Sequence, residues 1–108
     1  MAIAIMACRR LVGKCSGTGC FKAYNNSTAA FKIYENNKPV LSSFFYCIGC
    51  EETKTKDEDW EHKISQLKKN NVDTIHLSVC IKVECDKYEE HERMLKNRGF
   101  KIVNGSHE

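Results

Sequence analysis

The sequence has one proline, no internal repeat and no low-complexity stretch, so nothing in it marks a linker between domains. A single domain spanning residues 1–108 is expected, with a modest core drawn from a 42% hydrophobic composition. Long apolar runs are missing as well, and none approaches the ~20 residues that a membrane span requires. The opening MAIAIMACRR has only a very short apolar stretch, and Arg9 and Arg10 follow it where an export signal would have basic residues precede. It reads as a first strand. Charge of one sign is also lacking. The net charge of +3 comes from Lys and Arg mixed among Asp and Glu along the chain, and without a basic stripe nucleic acid is not an expected partner.

Several signatures of chemistry are absent too. Gly17-Thr18-Gly19 opens a G-x-G-x-x-G pattern, but Lys22 stands at the third glycine position, and no G-x-x-x-x-G-K-[ST] occurs. A phosphatase-like loop needs an arginine where Lys14 follows Cys8 and Phe21 follows Cys15. There is no G-x-S-x-G elbow. Glu51 and Glu52, directly after Cys50, are in position to act as a base beside a catalytic metal, although solvated loop carboxylates are the plainer reading.

Cysteine is what the chain has in excess: Cys8, Cys15, Cys20, Cys47, Cys50, Cys80 and Cys85. The odd count, the lack of an export signal and the ordinary core pattern argue against a disulfide framework and lead to the expectation of a reducing, cytoplasmic location.

Hydrophobic periodicity lays the chain out as alternating strands and helices. Ala2 to Cys8 reads as a buried strand, Cys20 to Tyr34 as a helix with Phe21, Tyr24 and Phe31 on its core face, and Val40 to Cys47 as a second strand. A helix begins near Asp57, with Trp60, Ile64 and Leu67 on one face. Val72 to Val79 follows as a strand, Asp86 to Arg98 as a helix capped by Gly99, and Phe100 to Val103 as a last strand. This alternation predicts an α/β fold, a three-layer sandwich around four parallel strands in the order 2-1-3-4, flavodoxin- or Rossmann-like.

On that layout every cysteine falls at the C-terminal end of a strand or in the loop or helix start just beyond. Parallel strands share one C-terminal rim, where open α/β proteins bind ligands. Thiols gathered near helix N-termini are biased toward thiolate, and clustered thiolates repel unless a cation sits among them. The geometry therefore points to a metal site, with Cys47-x-x-Cys50 as the firmest ligand pair, Cys8 and Cys80 next, and Cys15, Cys20, Cys85 and His107 either completing the set or forming a second site. Zinc is the expected ion, with an iron–sulfur cluster as the nearest rival. Two other readings stay open: a redox dithiol of Cys47 and Cys50, and buried structural thiols. Among the histidines, His76 in the third strand and His91 in the last helix read as core residues, and His62 as solvated.

The segments Cys15-Ser-Gly-Thr-Gly-Cys20-Phe-Lys-Ala, Phe44-Phe45-Tyr-Cys47-Ile-Gly-Cys50, Ile75-His76-Leu-Ser-Val-Cys80-Ile-Lys and Gly105-Ser-His107 together resemble the ordered motifs of CGGC-domain proteins. That family is found mostly in microbes; a metal-binding role is proposed for it and no reaction is established. The resemblance implies that all seven cysteines and His107 are the family's marked positions. Ile48 departs from it, standing where the naming motif has its first glycine. A turn needing positive φ there would be strained.

Overall fold

Six consecutive small or apolar residues, Ala2–Ala7, form β1, and all six are buried. Burial on both faces is what an inner parallel strand requires, and it explains why this segment shows no polar alternation. The protein, seen here as a computed structural model that describes residues 2–8, 14–47, 58–78 and 88–106, builds the rest of its sheet around this strand. The order is β2-β1-β3-β4, with β2 at Val40–Tyr46, β3 at Val72–Leu77 and β4 at Lys101–Asn104. Every pairing is parallel. Toward the C-terminal end of β1, Ile5 lies between Phe44 and His76, and Met6 between Phe45 and Leu77.

Helices α1 (Thr18–Asn26), α2 (Glu58–Lys69) and α3 (Tyr88–Asn97) make the crossovers. Alternate residues of β1 separate two cores. Ala4, Met6 and Cys8 pack with Ile64 and Leu67 of α2 and Leu95 of α3. Ile3 and Ile5 pack on the other face with Ala23 and Tyr24 of α1 and with Phe31 and Tyr34. The result is the expected three-layer α/β sandwich in the expected strand order. Right-handed crossovers send the helices to opposite faces because the chain reverses its direction of travel across the sheet at β1. Burying Ile3 and Ile5 completely contributes about 1.5–3 kcal/mol each.

Helix α2 starts with Glu58, Asp59 and Glu61 in its first turn and ends with Lys68 and Lys69, a distribution that complements the helix dipole. Arg98, just past α3, donates to Glu61 at 2.9 Å. Both groups are solvent-facing, so the pair orients α3 on α2 more than it stabilises the fold.

The predicted helix from Cys20 to Tyr34 is not continuous. Ser27 adopts a left-handed conformation (φ 54°), its N–H donates to the Tyr24 carbonyl, and the Thr28 N–H donates to the Ala23 carbonyl. This pair of bonds is a Schellman ending. The chain then continues as a 3-10 helix over Ala29–Tyr34. The polar string Asn25-Asn26-Ser27-Thr28 competes for backbone groups and supplies the break. Phe21, assigned to the core from sequence, is 38% exposed; it packs on Phe44 with ring centroids 5.6 Å apart at the flank of the α1 layer. Smaller corrections concern ends. β2 stops at Tyr46, so that Cys47 follows it, and β4 begins at Lys101 and includes Asn104. The turn at Gly99 has φ 94°, as its expected capping role requires.

Candidate metal centre

The ladder continues one residue past the strands, and this fixes the rim. Cys47 N–H donates to the Ala7 carbonyl at 3.1 Å, Ser78 N–H to Met6 at 3.0 Å, and Gly105 N–H to Leu77 at 2.8 Å. Cys8, Cys47, Ser78 and Gly105 therefore follow β1, β2, β3 and β4 in a row along the C-terminal edge. The order reversal lies between β1 and β3, so Cys8 and Ser78 flank the switch point at which such sheets bind ligands.

Cys8 and Cys47 belong to the same buried cluster, on the face covered by α2 and α3, and both are thiols rather than half-cystines. Since Ala7 pairs with Tyr46, the two cysteines stand in neighbouring positions on adjacent strands, about 4.8 Å apart in the backbone. Cys20 belongs to the cluster on the opposite face. Its Sγ donates to Ser106 Oγ at 3.3 Å, and both residues are buried. Cys15 is half-buried in the loop leading to α1, and its carbonyl accepts the Tyr46 hydroxyl at 2.9 Å. The sheet thus separates Cys8 and Cys47 from Cys20. Cys50, Cys80, Cys85 and His107 lie outside the described residues, as do Ile48, Glu51 and Glu52. Among the described residues no group of three or more His, Cys, Asp or Glu is arranged to hold a metal ion.

Local backbone shape brings α1 to the rim. Gly17, just before the helix, has φ 80°, and its carbonyl accepts the Phe21 N–H at 3.0 Å. A Cβ at this position would meet the Phe44 ring at 3.3 Å and Phe21 at 3.4 Å. Only glycine joins that conformation to that close approach.

His76 is fully buried, as expected of a core histidine, and is completely partnered. Nδ1 lies 3.0 Å from the Gly105 carbonyl and Nε2 lies 2.8 Å from the Tyr34 hydroxyl. A carbonyl can only accept, so Nδ1 carries the proton and Nε2 accepts from Tyr34. Burial holds the ring below its ordinary pKa, opposed by the bond to Gly105. The Phe31 ring lies against it, with centroids 4.6 Å apart. This neutral histidine ties the 3-10 segment to the exit of β4 and fixes Gly105 and Ser106, and through Ser106 the thiol of Cys20. Nothing in the sequence marks Ser106 as a cysteine partner beyond its place beside His107, or Tyr34 as a donor. His91 is buried beside Trp60 (5.4 Å between centroids), and His62 is exposed.

A parallel α/β domain whose four strands lead into Cys8, Cys47, Ser78 and Gly105 along a single rim is a cysteine-bearing, doubly wound module. The CGGC domain model matches residues 2–107. The chain belongs to the CGGC domain family. No curated protein and no solved structure matches the chain significantly. No helix among the described residues is long and apolar enough to cross a membrane.

Proposed function

We propose that the chain is a small cytoplasmic metal-binding protein that holds zinc through cysteines at the C-terminal rim of its sheet. The observation that carries this reading is the placement of Cys8 beside Cys47, two thiols that each directly follow the paired strand ends Ala7 and Tyr46 and lie on one face. Neighbouring sulfur donors suit a soft or borderline cation, and zinc accepts Cys and His together in a tetrahedral set. Cys50 and Cys80 are the next ligands in this proposal. Cys15, Cys20, Cys85 and His107 complete the shell or form a second site, and the sheet between Cys20 and the Cys8–Cys47 pair favours the second arrangement. Membership of the CGGC family supports a metal partner without naming the ion.

Metal analysis of protein prepared anaerobically without an affinity metal tests the proposal. About one zinc per chain and a colourless solution are expected. A brown protein with iron and sulfide would replace zinc by an iron–sulfur cluster, and gently handled material without metal would overturn the reading. The competing activity, thiol–disulfide exchange by Cys47 and Cys50, requires a mixed disulfide on Cys47 when Cys50→Ser is offered a disulfide substrate.

A further inference from the structure

We infer that Cys8 and Cys47 form a peroxide-oxidisable pair, closing a reversible disulfide across β1 and β2 at the rim. The sequence directs attention to Cys50 as the partner of Cys47, because the two are close along the chain. The fold supplies another neighbour, from the adjacent strand. Ala7 and Tyr46 are paired, the Cys47 N–H is bonded to the Ala7 carbonyl at 3.1 Å, and the next residue on each side of the pairing is a cysteine. Both side chains enter the same cluster, so they leave the sheet on the same face.

Adjacent strands lie about 4.8 Å apart, within the ~4.4–6.8 Å between Cα atoms that disulfides tolerate. The Cβ atoms of such neighbours stand somewhat wider than the ~3.8 Å mean for a disulfide. Closure therefore pulls the two strand ends together. Each cysteine stands one residue beyond the last regular pair, Ala7 with Tyr46, and the Cys47 N–H bond to the Ala7 carbonyl holds the two strand ends side by side. A bridge under such strain is more easily reduced than a relaxed one.

Both thiols are almost completely buried, at 2% and 1% exposure, which favours a small oxidant over a bulky disulfide such as glutathione disulfide. Hydrogen peroxide meets that requirement. One thiolate attacks peroxide, the O–O bond breaks, and a sulfenic acid and one water form. The second thiol attacks the sulfenic sulfur, the S–O bond breaks, and the disulfide and a second water are produced. In sum, two thiols lose two electrons and two protons, and one peroxide becomes two waters. A bridged pair has no thiolate to offer a cation, so the same step would empty a rim metal site. The oxidation itself does not depend on the metal reading.

Chelated, metal-free protein treated with one equivalent of hydrogen peroxide, alkylated and digested after lysine and arginine is the test. Cleavage after Arg9 separates Cys8 from the peptide containing Cys47 and Cys50. The expected product is a cross-linked pair of peptides joining Cys8 to Cys47, two fewer alkylatable thiols per chain, and recovery of both thiols with reductant. Cys50→Ser should form the same cross-link, and Cys8→Ala should lose it. If Cys50→Ser does not fold, fragment-ion assignment of the wild-type cross-link decides between Cys47 and Cys50. A bridge from Cys47 to Cys50, or Cys8 recovered fully alkylated after oxidation, overturns the inference. Metal content, measured separately on untreated protein, reports on the metal reading independently.

Discussion

His76 illustrates how a single residue serves the fold because it carries no charge. Its ring lies between the Tyr34 hydroxyl and the Gly105 carbonyl, an arrangement that uses one proton on the ring and one on the tyrosine. A second ring proton would turn Nε2 from acceptor to donor and set it against the Tyr34 hydroxyl proton. Burial already holds the folded pKa below its ordinary value, so the unfolded chain takes up a proton here before the folded chain does. The stability that the neutral ring contributes is therefore complete above about pH 6.5 and is lost as the pH falls below it toward the folded pKa. Denaturant titrations between pH 7.5 and 5 should show wild-type stability falling with a slope of up to about 1.4 kcal/mol per pH unit from this residue. His76→Phe should have lower stability throughout and a flatter slope. Equal slopes for the two proteins would remove the assignment. A core role for this histidine could be read from its place in an apolar strand, but its partners could not. They come from a 3-10 turn and a strand exit distant in sequence.

At the level of elements, α1 shows where periodicity misled. Tyr24 and Phe31 are both buried and on one side of the sheet, and two helical turns would bring them into line. That coincidence made one helix of two segments. The ending lies in Ser27, which adopts φ 54° without being glycine, a conformation that costs a side chain about 1–2 kcal/mol. Ser27→Gly should therefore stabilise the protein by about 1 kcal/mol, offset in part by the greater freedom of glycine in the unfolded chain. Thermal or urea unfolding measures the change. A loss of stability would mean that the serine side chain holds the turn in a way that outweighs its strain. α2 gave no such difficulty, because its acidic first turn, basic last turn and the buried pair Ile64 and Leu67 agree with one another. Agreement of local signals made it legible, and their conflict at Asn25–Thr28 hid the break.

Across the whole molecule, strand–helix alternation was enough to give a parallel sheet in the order β2-β1-β3-β4, because crossover handedness and short connections leave few alternatives. The face on which each rim cysteine lies was harder to read. It depends on the parity of each strand's alternation and on register irregularities at Ala2/Ile3 and Ile3/Ala4, which no local pattern announces. Hence Cys8 and Cys47 emerged as cross-strand neighbours, while Cys20, carried by α1, lies on the face that this helix covers. If zinc joins that pair, binding to the folded state alone must raise stability by mass action, about 2.7 kcal/mol at a free-ion concentration 100 times the dissociation constant. For a domain of this size that is roughly 10 °C in melting temperature. Zinc-loaded wild type should therefore melt well above chelated protein, and re-addition of zinc should restore the difference. The double variant Cys8→Ala/Cys47→Ala should melt lower than chelated wild type, because two buried side chains are truncated, and zinc should not raise it. A zinc-dependent increment that survives in the double variant would remove Cys8 and Cys47 from the site.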